Sequence, residues 1–154
     1  MYDVLAYLYQ NYRHVELTHH GERLSRKLSA AGFDGDDISD AFSWLAGLRT
    51  VAWQARAPLP DARPCFRVYA PKELARLDLE CRRFLAALEN AGILAPDSRE
   101  QVIERAMAAA GGPLSLTQLK LLTLMVLWHR KIPGSCMVAE EIFEQEQSAA
   151  RKPN

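Results

Sequence analysis

A chain of 154 residues has room for one compact domain, or for two small ones sharing an interface. Lysine plus arginine balance aspartate plus glutamate at 19 each, so no global field draws the protein to polyanions or to a membrane surface. The balance holds locally as well: residues 1–56 carry 6 basic and 7 acidic side chains, residues 57–110 carry 8 of each, and residues 111–154 carry 5 and 4.

The opening "MYDVLAYL" has an acid at position 3 and no basic leader, which argues against a secretory signal. The most apolar stretch, "LSLTQLKLLTLMVLW", is interrupted by Gln118, Lys120 and Thr123 and is too short and polar to span a bilayer. Cys65, Cys81 and Cys136 are odd in number and widely spaced, as suits reduced thiols in a cytoplasm better than a disulfide framework. The expectation is a cytoplasmic protein without cofactor, metal or membrane segment.

In chain order, Val4, Leu5, Leu8 and Tyr12 define one face of a first helix over residues 2–12. "HVELT" around Val15–Thr18 has the look of a short extended piece. A second helix over Glu22–Ala31 buries Leu24, Leu28 and Ala31, and Gly32 with Phe33 supplies its ending, glycine in the left-handed conformation and Phe33 packing back on Leu28. Asp34 then caps a third helix, whose stripe is Ile38, Ala41, Phe42, Leu45 and Leu48 with Trp44 on its margin. So short a turn forces the two helices to cross sharply.

Beyond it the period changes. "TVAWQAR" (Thr50–Arg56) and "CFRVYA" (Cys65–Ala70) alternate like strands, and Pro58, Pro60 and Pro64 between them forbid helix. This order predicts a winged-helix-like unit over residues 1–70, three helices with a small β-wing at 50–70. From Pro71 a single long helix is expected, with Leu74, Leu77, Cys81, Phe84, Leu88 and Ala91 on one seam and Gly92-Ile93 ending it as Gly32-Phe33 ended the second helix. The seam could pair with another copy as a coiled coil. It runs for under about three heptads, so packing against the Leu116–Trp128 helix is the better reading.

Asp97 with Glu100 resembles a capping box for a helix carrying Val102, Ile103, Ala106 and Met107, and "AGGP" breaks that helix. Ser115 with Gln118 caps the next, which is apolar nearly all round and must lie at the centre of a core. Val138, Ile142 and Phe143 mark a final amphipathic helix. The fold expected is mainly α, the unit at 1–70 packed on a helical unit at 71–147, with a frayed tail at 148–154.

Segments spread over the whole chain, among them "MYDVLAYLYQNY", "KLSAAGF" with "DISDAFSWL", "RVYAPKEL", "CRRFLAALENAGIL", "SREQVIERAMA", "LKLLTLMVLW" and "PG" before "EEIF", resemble the Smg family of bacterial proteins. The resemblance implies a small cytoplasmic bacterial protein of unknown function whose gene often neighbours those for DNA-processing and deformylase proteins. It supplies no catalytic residue.

The residues themselves offer little chemistry. His19-His20 with Glu22, and His14 or His129, could be imagined around a metal, but adjacent histidines point apart and no Cys or Asp stands at zinc-site spacing. Cys81 lies beside Arg82 and Arg83, which could lower a thiol pKa, yet it falls on the apolar seam where a buried thiol is inert. No phosphate loop, serine elbow or HExxH occurs, so no catalytic residue is expected.

The two helices joined at Gly32-Phe33-Asp34 have the outline of a DNA-binding element. A groove-reading helix needs cations and donors. The third helix instead offers Asp36, Asp37, Ser39, Asp40 and Ser43, with no base before Arg49. That favours an adaptor or regulator that binds a basic protein surface through Asp36, Asp37 and Asp40, with Trp44 as an anchor at the edge. The alternative is a nucleic-acid-binding regulator using the wing arginines Arg56, Arg63 and Arg67.

Overall fold

A computed structural model describes residues 1–12, 21–50 and 67–131, and every regular element among them is a helix. The order is α1 (Tyr2–Tyr12), α2 (Gly21–Ala30), α3 (Gly35–Thr50), α4 (Pro71–Arg76), α5 (Leu79–Asn90), α6 (Pro96–Ala108) and α7 (Leu116–His129). Among the described residues no helix is long and apolar enough to cross a membrane.

Most of the periodic positions are buried where the sequence puts them, but Ala31, Leu74, Ala91 and Met107, which it placed on apolar stripes, are exposed. Val4, Leu5, Leu8 and Tyr9 of α1 are buried, as are Leu24 and Leu28 of α2 and Ile38, Ala41 and Leu48 of α3. The α2 ending forms as expected: Gly32 has φ +96°, and the Phe33 N–H donates to the Leu28 carbonyl at 3.2 Å. Phe33 then meets the Tyr7 ring edge-on at 5.3 Å between centroids, which ties the α2–α3 corner to α1. Gly92 (φ +72°) and Ile93 repeat the device at the end of α5, with Ile93 N–H on the Leu88 carbonyl at 3.0 Å.

α7 occupies the centre. Every residue from Leu119 to Leu127 is buried, and α1, α5 and α6 all pack on it. The Ser115 hydroxyl accepts from Gln118 N–H, and the Gln118 side chain accepts from Ser115 N–H, the reciprocal cap read from the sequence. One apolar core runs from Val4 in α1 through Leu48 in α3 to Leu127 in α7, so the two halves of the chain share it rather than flanking it.

Three expectations need correction. The β-wing is not supported: α3 continues through Thr50, where the first wing strand was expected to start, and residues 67–70 pair with no strand among the described residues. Side chains in that stretch bind the helices instead, Arg67 on α4 and α6, while Val68 is 89% exposed. Residues 51–66, with the rest of the expected wing, lie outside the described residues, as do "HVELT" and the helix expected around Val138–Phe143.

Second, the long helix from Pro71 is two helices. Leu77 turns extended (φ −112°, ψ 105°) and makes an isolated parallel bridge with Leu114, whose N–H donates to the Arg76 carbonyl at 2.9 Å. Asp78 restarts the chain by accepting the Cys81 N–H at 2.8 Å, so a good N-cap outweighs a continuous seam. Third, α6 begins with Ala95 at the N-cap and Pro96 in its first turn. Glu100 is drawn away from any capping role by two arginines.

Candidate functional site

α3 is held from behind by three helices, α1, α2 and α6. Its buried stripe faces them, and Asp36, Asp37, Ser39, Asp40 and Ser43 are all exposed. Ile38 N–H donates to the Asp34 carbonyl at 3.0 Å, so the helix starts where the sequence signals it and the acids occupy its first turns. Asp37 pairs with the Met1 ammonium, with half of its side chain still open to solvent. Among the described residues Asp36 and Asp40 meet no cation.

Trp44 does not stand at the edge as an anchor. It is 4% exposed, and its indole N–H donates to the Arg105 carbonyl of α6 at 2.9 Å. Arg105 returns the contact, its Nη1 donating to the Trp44 carbonyl at 3.4 Å, and its guanidinium lies where a side chain on Gly47 would be, a Cβ there falling 1.7 Å from Nη1. The residue pair fastens α3 to α6. Because α3 is covered on several sides, its buried stripe is wider than the one read from the sequence and takes in Trp44, which stands three residues after Ala41 and four before Leu48. Trp44 also lines a pocket of about 180 Å³ together with Met1, Asp40, Ser43, Arg105, Ala108 and Ala110.

The arginines of the nucleic-acid alternative fare differently. Arg56 and Arg63 lie outside the described residues. Arg67 is fully engaged: Nη1 and Nη2 donate to Glu73 at 2.8 and 2.9 Å, Nε and Nη2 donate to Glu100 at 2.7 and 2.9 Å, and the guanidinium lies 4.6 Å from the Tyr69 ring. Arg99 extends the network, donating to Glu100 at 2.9 Å and Glu89 at 2.7 Å. The hydrogen bond from Arg67 holds the Glu73 carboxyl below the ordinary range. Burial pushes Glu100 up, but hydrogen bonds from Arg67 and Arg99 outweigh it and leave that carboxyl lowered too. A phosphate would have to displace two carboxylates to reach Arg67.

The remaining chemical candidates are quiet. Cys81 is fully buried and its thiol is pushed up to about 12 by burial and by Asp78, with Sγ 3.7 Å from the Leu114 carbonyl oxygen to which it donates. At neutral pH it is a thiol, not a nucleophile. His129 is shifted down by burial and by Arg49 and Arg130. His14, His19, His20, Cys65 and Cys136 lie outside the described residues, and among those described no cluster of three His, Cys, Asp or Glu side chains could hold a metal.

Sequence reasoning missed the cations that turn inward. Arg76, 8% exposed, donates Nε to the Ala106 carbonyl at 3.2 Å, Nη2 to Ala109 and Nη1 to Gly111 and Gly112. It closes the bare C-terminal end of α6 where "AGGP" ends the helix.

Residues 1–151 match the family described as a protein of unknown function, DUF494. Similar curated proteins are the Protein Smg homologs of Aromatoleum aromaticum, 46% identical over 95% of this chain and 94% of that protein, and of Azoarcus sp., 40% identical over 95% and 94%. That of Methylibium petroleiphilum is 41% identical over 96% and 97%. No solved structure matches the chain. Matched from end to end by the family and at this level of identity, the chain belongs to the DUF494 family, that of the Smg homologs.

Proposed function

We propose that this protein is a non-enzymatic cytoplasmic adaptor or regulator, and that Asp36, Asp37 and Asp40 on α3 receive a basic surface of a protein partner. The observation that carries this reading is the exposed acidic face of α3. Arg67, Arg76, Arg99 and Arg105 all turn onto the protein's own carboxylates and carbonyls, while the α3 acids face solvent with no cation on Asp36 or Asp40 among the described residues. Carboxylates are acceptors only, and match lysine and arginine rather than phosphate. Trp44 contributes from behind, by fixing α3 on α6. A rigid helix presents its charges without an ordering cost on binding.

The nucleic-acid alternative loses support on this geometry, because Arg67 is held by Glu73 and Glu100. Changing Asp36, Asp37 and Asp40 together to Asn tests the proposal. Helix content should stay nearly unchanged, and capture of a basic partner from nuclease-treated cytoplasm should fall with the triple change. Wild type should bind duplex DNA no more tightly than the non-specific range of about 10⁻⁴ to 10⁻⁶ M at physiological salt. Nanomolar, sequence-selective DNA binding with capture unaffected by the triple change would overturn the adaptor reading.

A further inference from the structure

The helix that precedes α3 carries the opposite charge. α2 holds Arg23, Arg26 and Lys27 against Glu22, a net +2, and α3 holds Asp36, Asp37 and Asp40 against Arg49, a net −2. All three cations and all three acids are exposed. Leu24 and Leu28 are buried, which pins Arg23, Arg26 and Lys27 to the outer side of α2. Among the described residues Arg23 and Arg26 meet no carboxylate, and Lys27 sits over the Tyr12 ring at 5.9 Å.

The two rows also match in spacing. Arg23 and Lys27 are four residues apart on α2, as Asp36 and Asp40 are on α3, so each row spans about 6 Å along its helix axis. The rows do not neutralise one another within the chain, since no ion pair joins α2 to α3 among the described residues. A surface that carries both signs at one spacing is complementary to itself turned about a two-fold axis, which is the commonest way for a chain to pair with its own copy.

We propose that α2 and α3 form a self-complementary surface on which a second copy of this chain docks, α2 of each protomer lying against α3 of the other. The inference rests on the reading of α3 as a docking helix and names the chemistry that meets it, a row of arginine and lysine at matching pitch. A two-fold arrangement engages both rows of both copies and leaves nothing open to extend, whereas a head-to-tail contact would leave one row of each end protomer unmet. Pairs between exposed side chains are individually weak, so the dimer is a weak and salt-sensitive one.

Sedimentation equilibrium on the full chain tests this, with two charge-reversed variants, R23E/R26E and D36K/D40K. Wild type should associate with a dissociation constant on the order of 100 µM at low salt. Raising NaCl from 0.1 to 1 M, which shortens the screening length from about 10 to about 3 Å, should weaken association at least about tenfold. Each variant alone presents one sign on both helices and should be monomeric, with circular dichroism checking that it is folded. Mixed at equal concentration, the two variants should form a heterodimer within about threefold of the wild-type affinity, because each basic row again meets an acidic one. A wild type that stays monomeric at millimolar concentration overturns the proposal, as does association that survives salt or a folded mixture that fails to pair. Monomeric wild type that still loses a basic partner on changing the α3 acids to Asn leaves the adaptor reading intact while the dimer fails. A salt-sensitive dimer with no other protein captured does the reverse.

Discussion

Replacing Arg76 by Met keeps most of the buried stem and removes the head that closes α6. Two of its acceptors, the Ala106 and Ala109 carbonyls, are bonded in the buried interior, while those of Ala110, Gly111 and Gly112 lie where water can reach them. Leaving a buried acceptor without a donor costs about 1–3 kcal/mol, so two give about 2–6 kcal/mol. Removing a desolvated guanidinium returns part of that, which puts the net loss near 3 kcal/mol. For a chain of this size 1 kcal/mol moves the midpoint by about 2–4 °C, so Arg76→Met should melt about 6–12 °C below wild type. Arg76→Lys keeps the charge, but one ammonium cannot span carbonyls on either side of a planar fork, and it should recover about half the loss. Thermal unfolding followed by circular dichroism, with urea titration for the free energy, measures both. A methionine variant within about 2 °C of wild type would show that α6 closes without the guanidinium and refute the reasoning.

Leu122, fully buried at the centre of α7, should not tolerate Asp. An unpaired carboxylate there costs more than about 4 kcal/mol, and loss of the cooperative melt is the expected result. Cys81 should react with a thiol reagent at least about a hundredfold more slowly in the native state than after denaturation, since its thiol is buried and raised to about 12. Rapid labelling of native protein at neutral pH would overturn the core assignment. The lowered Glu73 and Glu100 predict acid sensitivity. Their contribution is full above the ordinary carboxyl range and fades as pH falls through the depressed values, so wild type should lose stability below about pH 5 more steeply than E73Q/E100Q. Equal slopes for the two proteins would remove the network from the account.

The helices were legible because their signals are local. Gly32-Phe33 and Gly92-Ile93 carry their endings in adjacent residues, and Ser115 with Gln118 carries a cap within one turn. The centrality of α7 was legible from a helix with no polar face. What escaped were decisions taken at long range. Trp44 looks marginal on α3 considered alone and becomes interior only because α6 brings the Arg105 carbonyl to its indole, 61 residues along the chain. Arg67 reads as a wing cation until Glu100, 33 residues on, is beside it. The break at Leu77 escaped because the apolar seam continues across it, and only the bridge to Leu114 shows that the backbone does not.

The acidic residues of the candidate site were legible for the converse reason. They lie within the first turns of one helix whose buried stripe is unambiguous, so periodicity alone puts them outside. Charge counts gave no hint that this face matters, since the chain is neutral as a whole and nearly so in each part. The structure separates charges that the count treats alike. Arg67 and Arg99 are matched to Glu73, Glu89 and Glu100 within the molecule, and Arg76 and Arg105 reach carbonyls, so those cations project little field outward. Withdrawing them leaves α2 and α3 as adjoining helices of opposite sign, +2 and −2, on a chain whose sum is zero. The helix–turn–helix outline therefore presents a charge pair to solvent where a phosphate-binding element would present a single basic face.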